Sequence, residues 1–417
     1  MSVGTQSRIN KNCSYPRDFP DRTSISNLLL PLDGYIKKDF RIAGRILARR
    51  NHGNNIFFDL VDQTGAIQLH AKADRNEANG EDWQFDKALE ADLGDCVGVT
   101  GTLGQNPRGE PLFLISDWTL LAKAIREPPD KHHGLNNPGT KYRHRELDLL
   151  SSSDSRELFK TRAKIVQEIR NYLNDKDYVE IETPILQGVY GGATAQPFLT
   201  RHKSLGQDFF LSISSELYLK RALVGGFDRV YSISRCFRNE GISPEHNPEF
   251  TNIEIFATCE TYDTMGKLTE ELIMSLAKTH STESFHLDRR MSLLSDDWPL
   301  SRKLTPPYSP NNVHVDPKKY AEAWEIYALT ENGDMEIASG ASDLNDPREQ
   351  ESRLKGVWKD HNEEGYNPYD QNYIEALEQG LLPVAGVGIG LDRLVMLLTG
   401  KTNIRDVIAF PTLKDKK

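Results

Sequence analysis

The strongest constraint on the fold lies between positions 229 and 259, where two period-two segments flank a loop. In 230–238, Tyr231, Ile233, Arg235 and Phe237 fall on one face, and Ser232, Ser234, Cys236 and Arg238 on the other. A loop over 239–248 follows, with Gly241, Pro244 and Pro248. Residues 250–259 alternate again: Ile253, Ile255 and Ala257 suit a core, while Phe250, Asn252, Glu254 and Phe256 share the opposite face. The spacing predicts one long antiparallel hairpin with an arginine, an aromatic ring and a carboxylate on its open side. A guanidinium fork suits a phosphate, a ring suits a nucleobase, and a carboxylate suits a substrate ammonium. An Arg238–Glu254 cross-strand ion pair is the plainer reading, and the hairpin alone leaves both open.

Two further clusters carry chemistry. Gly386, Gly388 and Gly390 alternate, which bares one face of a strand before Asp392 and Arg393. A planar ring can lie on such a strip, with Arg393 stacked on it or reaching a phosphate. Close packing of a helix is the other reading. A dinucleotide fingerprint is excluded, because the spacing is not GxGxxG and too little chain follows. The second cluster is acidic. Glu325 and Glu336 fall on neighbouring predicted strands, where two carboxylates can hold Mg²⁺ on a triphosphate or stand as solvated edge acids. Ser339, Ala341 and Asp343 then share one face of the second strand.

Upstream, five short strands are expected at 41–47, 56–61, 66–70, 95–103 and 111–121, separated by Gly- and Asn-rich turns. That pattern predicts a small closed barrel, an oligonucleotide-binding barrel or a purely structural β-module. A stretch rich in Pro, Lys, His and Arg over 122–146 reads as a solvated connector or as a track for a phosphate backbone. A helix follows, with Asp154 and Glu157 as a capping pair and an apolar stripe of Leu158, Ile165, Val166, Ile169, Tyr172 and Leu173. The stripe suits the core or a second subunit. Tyr178–Ile181 is read as a strand ending at Thr183-Pro184.

A chain of 417 residues has room for two or three domains. Residues 1–150 hold 20 basic and 20 acidic side chains, so the net charge of −10 lies entirely in the remainder. The division expected is an arm over 1–38, a barrel over 39–123, a linker over 124–150 and a catalytic domain over 151–417, an α+β chain overall. The acidic balance argues against a generally basic nucleic-acid binder while permitting a local basic face. Cys13, Cys96, Cys236 and Cys259 form no CxxC pair, so neither a zinc knuckle nor a disulfide framework is expected. No apolar run approaches the ~20 residues of a membrane span, and the first twenty residues lack the apolar core of a signal peptide. A cytoplasmic chain is expected.

Three strings in order resemble the signature motifs of the class II aminoacyl-tRNA synthetases. Asp177-Tyr178-Val179-Glu180-Ile181-Glu182-Thr183-Pro184 resembles motif 1, with Asp177 where Gly is usual. Arg238-Asn239-Glu240-Gly241 with His246-Asn247-Pro248-Glu249-Phe250-Thr251 resembles motif 2, and 386–393 resembles motif 3. Within that family the chain is similar to the lysyl-tRNA synthetases of the bacterial and eukaryotic class II type. The strings that carry this are Pro129-Asp130-Lys131-His132-His133-Gly134-Leu135, Tyr142-Arg143-His144-Arg145-Glu146-Leu147-Asp148-Leu149, Gly191-Gly192-Ala193-Thr194-Ala195-Gln196-Pro197-Phe198 and Glu216-Leu217-Tyr218-Leu219-Lys220-Arg221. The resemblance covers about residues 40 to 413.

It implies an anticodon-reading barrel, an antiparallel-sheet catalytic domain, a homodimer, ATP and Mg²⁺ as requirements, and tRNA and lysine or a related basic amino acid as partners. By motif position, Arg238 would hold the α-phosphate and Arg393 the γ-phosphate, with Phe250 and Arg393 around adenine. Glu240, His246 and Asn247 would shape the ATP loop, beside Gly390. Glu325 and Glu336 would hold the metal. Gly192, Glu216, Glu254, Phe256, Ser339, Ala341 and Asp343 would line the amino-acid pocket. Arg45, Phe57, Gln68 and Glu110 match the anticodon-contacting positions.

The departures concern specificity. Ser339-Gly340-Ala341-Ser342-Asp343 stands where the family has Asn-Gly-Phe-Ser-Glu, Phe256 where Tyr is usual, and Glu245 where Arg is usual. The segment between motif 2 and Glu325 is short, so a family insertion is missing. A pocket that loses a ring, a methylene and a hydroxyl discriminates differently. Besides a lysine–tRNA ligase, the sequence therefore admits a paralogue that activates another basic amino acid for a non-translational acceptor. It also admits a catalytically weakened tRNA-binding regulator.

Overall fold

Alternation of apolar residues sets the first architecture. In β2 (Asn55–Val61), Ile56, Phe58 and Leu60 point inward and are fully buried, while the residues between them are half-exposed. With β1 (Asp39–Asn51), β3 (Ala66–Lys72), β4 (Cys96–Gln105) and β5 (Pro111–Ala122) this strand closes a barrel in the order β1-β2-β3-β5-β4. All pairs are antiparallel except β3 with β5. Ile42, Ile46, Leu69, Val99, Phe113 and Trp118 fill the interior. The computed structural model describes residues 15–30, 38–73, 83–129, 134–193, 195–282, 284–293, 320–330, 333–360 and 369–414. Cys13, the expected arm up to residue 14, the basic string Asp130-Lys131-His132-His133 and Thr194 lie outside the described residues.

Part of the expected arm belongs to the barrel. Ser24 caps a single helical turn, Ile25–Leu28, whose Ile25 and Leu28 are buried in the barrel core. The expected connector also changes character. It contains two short helices, Pro138–Arg143 and Arg145–Ser151. Arg145 is buried and lies 2.7 Å from the equally buried Asp148, so this arginine is a structural ion pair and no track for phosphates. By contacts the chain divides into two compact units, Met1–Ser153 and Asp154–Lys417.

The second unit is built on a seven-stranded sheet. Its strands are β6 (Val179–Glu180), β10 (Arg229–Phe237), β11 (Glu249–Thr258), β12 (His286–Leu293), β13 (Tyr320–Thr330), β14 (Gly333–Asp343) and β15 (Val384–Gly390). Their order is β12-β13-β14-β15-β11-β10-β6, antiparallel except for β6 with β10. A small sheet of β7 (Leu186–Gln187), β9 (Gln207–Leu211) and β8 (Leu199–His202) stands apart from it. Ahead of the large sheet runs the helix Ser153–Asn174. It starts one residue before the expected cap, so Asp154 sits in the first turn, where its charge complements the helix dipole. Asp177 has φ 63°, the left-handed region that explains glycine at this position in the family.

Both faces of the large sheet are covered. On one, Ile253, Ile255, Trp324, Val387 and Ile389 pack with Ile165, Ile169, Leu272 and Leu394 from three helices. On the other, Val230 and Phe256 pack with Leu219 and Tyr373, from the helices Glu216–Val224 and Gln371–Leu377. The side of the hairpin expected to be open is therefore closed at Glu254 and Phe256, both buried. Among the described residues no helix is long and apolar enough to cross a membrane.

Glycine matters most in the barrel where β4 shifts register. A Cβ on Gly101 would come within 2.0 Å of the Leu114 carbonyl oxygen, a backbone atom that cannot move aside. Gly101→Ala should therefore destabilise the barrel by about 1–3 kcal/mol through overpacking. Chemical denaturation of wild type and variant measures this, and equal midpoints would contradict the close approach.

Candidate active site

The site is organised in cross-strand rows. Glu254 of β11 lies between Ser232 of β10 and Gly388 of β15, and Gly388 lies opposite Ser339 of β14. The neighbouring row holds Phe256, Gly386 and Ala341. A Cβ on Gly386 would come within 2.2 Å of the Phe256 ring. Phe256 therefore fills the first part of the expected glycine strip, so a ring of the neighbouring strand, and not a helix, packs against the bare backbone there. Around Gly388 the nearest atom to a built Cβ is Asn252 Nδ2 at 3.6 Å, so the strip stays open at that point.

One end of the site is acidic. Glu254 is buried and accepts from Ser214 Oγ and Ser215 Oγ, both at 2.8 Å, and from Asn252 Nδ2 at 3.0 Å. These bonds, rather than an Arg238 pair, hold its carboxylate. Burial, and then the nearby Glu216 carboxylate, keep its pKa above the usual range, although the three hydrogen bonds pull the other way. Glu216 opens the helix Glu216–Val224 and lies 2.7 Å from Lys220 Nζ. Lys220 also lies 3.0 Å from Asp343 Oδ1. Burial raises the pKa of Asp343, and Lys220 moderates the rise. Gly192 has φ +83°, and a Cβ there would approach Ser214 Oγ at 2.8 Å, so a bare backbone lines this end. Ser339 is exposed, Ala341 half-buried and Asp343 buried, a gradient that runs inward along β14.

The other end is cationic. The Arg238 guanidinium lies 5.1 Å from the centre of the Phe250 ring, and its buried Nε has no hydrogen-bond partner. Arg393, in the first turn of the helix Leu391–Thr399, donates from Nη1 to the Glu336 carbonyl at 2.9 Å and lies 3.2 Å from Glu336 Oε2. Its Nη2 is 2.9 Å from His246 Nε2. A guanidinium only donates, so His246 accepts at Nε2 and carries its proton on Nδ1, 2.7 Å from Ser243 Oγ. Burial, and then the Arg393 charge, hold the His246 pKa below its ordinary value, consistent with this neutral tautomer. Asn247 donates from Nδ2 to the Glu249 carbonyl at 2.7 Å, which braces the loop, and its buried Oδ1 has no hydrogen-bond partner. Glu240 is exposed on the same loop, and Gly390 lies against Arg393.

The two candidate metal acids lie on adjacent strands without facing each other directly. Glu325 pairs with Ser339, and Tyr327 pairs with Glu336, across an irregular step in β13. Tyr327 OH donates to Glu325 Oε2 at 2.7 Å. No group of three or more metal-ligating side chains occurs among the described residues. Two carboxylates nevertheless fit a magnesium ion that takes its remaining ligands from phosphates and water.

In the barrel, Phe57 and Gln68 lie on neighbouring strands, opposite His70 and Asp59 respectively. The Phe57 ring stacks on His70, with centroids 4.6 Å apart and planes 7° from parallel. Arg45 donates to the Gly94 carbonyl at 2.6 Å, and Glu110 accepts from Asn106 Nδ2 at 2.7 Å. The sequence reading missed several groups: Lys220 between two acids, Ser214 and Ser215 on Glu254, Tyr327 on Glu325, and His70 behind Phe57. Two of these had a local signal: Lys220 by its i,i+4 spacing from Glu216 in a helix, and Tyr327 by its i,i+2 spacing from Glu325 in a strand.

Comparison with known proteins places this fold in a family. The family described as tRNA synthetases class II (D, K and N) matches residues 137–296 and 292–414. An OB-fold nucleic acid binding domain matches residues 40–127. The chain is 36% identical to a lysine–tRNA ligase of Erwinia tasmaniensis, covering 96% of this chain and 92% of that protein. It is 35% identical to lysine–tRNA ligases of Bacillus cereus and Bacillus anthracis, covering 95% of this chain and 93% of each. The first alignment spans 472 positions against a chain of 417 residues, so that relative carries segments this chain lacks.

The raised pKa of Glu254 has a measurable sign. A carboxyl whose folded pKa exceeds its unfolded value binds more protons in the folded state, so its contribution to stability falls as pH rises through the folded pKa. Replacing it by Glu254→Gln removes that loss. The unfolding temperature of the variant minus that of wild type should increase from pH 5 to pH 8. A difference that stays flat over this range would mean that Glu254 is not held in the protonation balance described.

Proposed function

The chain belongs to the class II aminoacyl-tRNA synthetases, and on that premise we propose that it activates lysine or a closely related diamino acid as an adenylate and transfers it to tRNA. One observation carries the choice of amino acid. Glu216 and Asp343 flank the ammonium of Lys220, and the buried Glu254 lies in electrostatic reach of Glu216. Among the described residues this end thus gathers three carboxylates and one ammonium, in surroundings where isolated charge is costly. A diamino acid brings two ammonium groups, and a neutral amino acid brings one. Without substrate, raised pKa values of Glu254 and Asp343 relieve part of this imbalance, and the ammonium groups of a diamino acid would displace those protons.

The cationic end supports the ATP half of the reaction. Arg238 and Phe250 offer a phosphate-binding fork and a stacking face, while Arg393 stands beside His246 and Glu336. Glu325 and Glu336 would hold magnesium, which when bound neutralises phosphate charge. The amino-acid carboxylate oxygen attacks the α-phosphorus, the α–β bridging bond breaks, and pyrophosphate leaves. Alignment and charge neutralisation suffice for this step, and no protein nucleophile is required. A terminal ribose hydroxyl of tRNA then attacks the carbonyl carbon, and AMP departs. His246 in its neutral tautomer keeps the Arg393 fork pointed at the phosphate site.

Phe57 and Gln68 on the barrel surface support anticodon reading by stacking and hydrogen bonding. A homodimer and a cytoplasmic location belong to the same reading, and Val179, Ile185 and Leu186, in and beside the motif-1 string, are exposed apolar side chains. The small Ala341 and the short Asp343 favour tolerance of a longer or substituted basic side chain.

ATP–pyrophosphate exchange over all amino acids and a set of lysine homologues tests the reading. Exchange should be confined to diamino acids, and Arg238→Ala or Arg393→Ala should each lower its rate by about 10²-fold or more. Near-wild-type exchange in both variants would reject the site. Separately, Phe57→Ala should weaken tRNA binding by roughly 1–3 kcal/mol and leave tRNA-free exchange unchanged. Absence of salt-sensitive tRNA binding by the wild-type protein would make the barrel's assignment wrong.

A further inference from the structure

Lys220 is fully buried, yet it is a cation. Helix geometry sets its spacing from Glu216, four residues earlier, at 2.7 Å, and β14 supplies Asp343 Oδ1 at 3.0 Å. The ammonium also lies 5.3 Å from the centre of the Phe256 ring, on the pocket's back wall. Behind it stands the buried Tyr373 hydroxyl, which has no hydrogen-bond partner. The second oxygen of Asp343 is likewise buried and unpartnered. One side of this carboxylate is thus held by Lys220, and the other is left for an incoming group.

We propose that Lys220 is a positioning residue: without touching substrate it ties Glu216 to Asp343 and orients the unpartnered Asp343 oxygen for an ammonium group of a diamino acid. This rests on the reading under Proposed function. Asp343 is a methylene shorter than the glutamate usual in the family, so its place in the pocket depends on being held from behind. The groups that face Lys220 are Glu216 and Asp343 directly, with Tyr373 in electrostatic reach, Glu254 next to Glu216, and Asp370 next to Tyr373. Removing the cation takes from Glu216 and Asp343 the ammonium that they share. They repel, retain protons to a higher pH, and lose their hold on an ammonium.

The test uses the full chain with Lys220→Met, Lys220→Arg and the charge-balanced pair Lys220→Met with Asp343→Asn. In ATP–pyrophosphate exchange, Lys220→Met should raise the KM for lysine at least tenfold, with kcat and the KM for ATP within about threefold of wild type. Lys220→Arg, which keeps the charge, should restore most of the loss. A KM for lysine within twofold of wild type, or a parallel fall in kcat and ATP binding, would overturn the proposal. A second measurement needs no substrate. The deficit in unfolding temperature of Lys220→Met should widen from pH 6 to pH 8, because the uncompensated carboxyls must ionise inside the fold. The double variant should narrow it. A deficit that does not change with pH would show that Lys220 is not the counter-ion. If wild type activates no diamino acid, the functional reading falls and takes the specificity role with it, while the pH dependence still decides the counter-ion role.

Discussion

The register of β11 against β15 governs the rest of the catalytic unit. Because Ile253 pairs with Ile389 and Ile255 with Val387, the apolar residues of both strands face the same core. The alternate positions then have no choice: Asn252, Glu254 and Phe256 must share the other face with Gly390, Gly388 and Gly386. A slip of one residue would send a carboxylate into the hydrophobic core and expose isoleucines. Hydrophobic burial on one face thus fixes the chemistry on the other.

That second face is also buried at its acidic end, which creates the electrostatic problem the protein solves locally. Glu254 is held by three hydrogen-bond donors, and Glu216 and Asp343 by one internal ammonium. The arrangement satisfies the fold while leaving negative charge in excess. At the other end, Arg393 is held by Glu336 and neutral His246. The two ends therefore differ in chemistry: buried carboxylates at one, and the Arg238 and Arg393 guanidinium groups at the other.

The sequence by itself determined much of this. Alternation gave the hairpin and the five barrel strands, since period-two burial is a local property of the chain. The motif strings singled out Arg238, Phe250 and Glu254, whose spacing reflects one backbone path around one loop, and Arg393 from a separate strand-to-helix string. What the sequence could not decide is which polar residues become partners across elements distant in the chain. Asp392 receives the Thr251 amide and pairs with Arg162, and Asp343 meets Lys220, contacts between residues far apart in the chain. Nor does alternation say whether a polar face is open, and a helix laid over Glu254 and Phe256 closed one that reads as exposed. Arg145 looked solvated within its charged string, but packing buried it with Asp148. Periodicity records how a segment faces its neighbours, whereas burial and pairing of charge depend on what the tertiary fold places there.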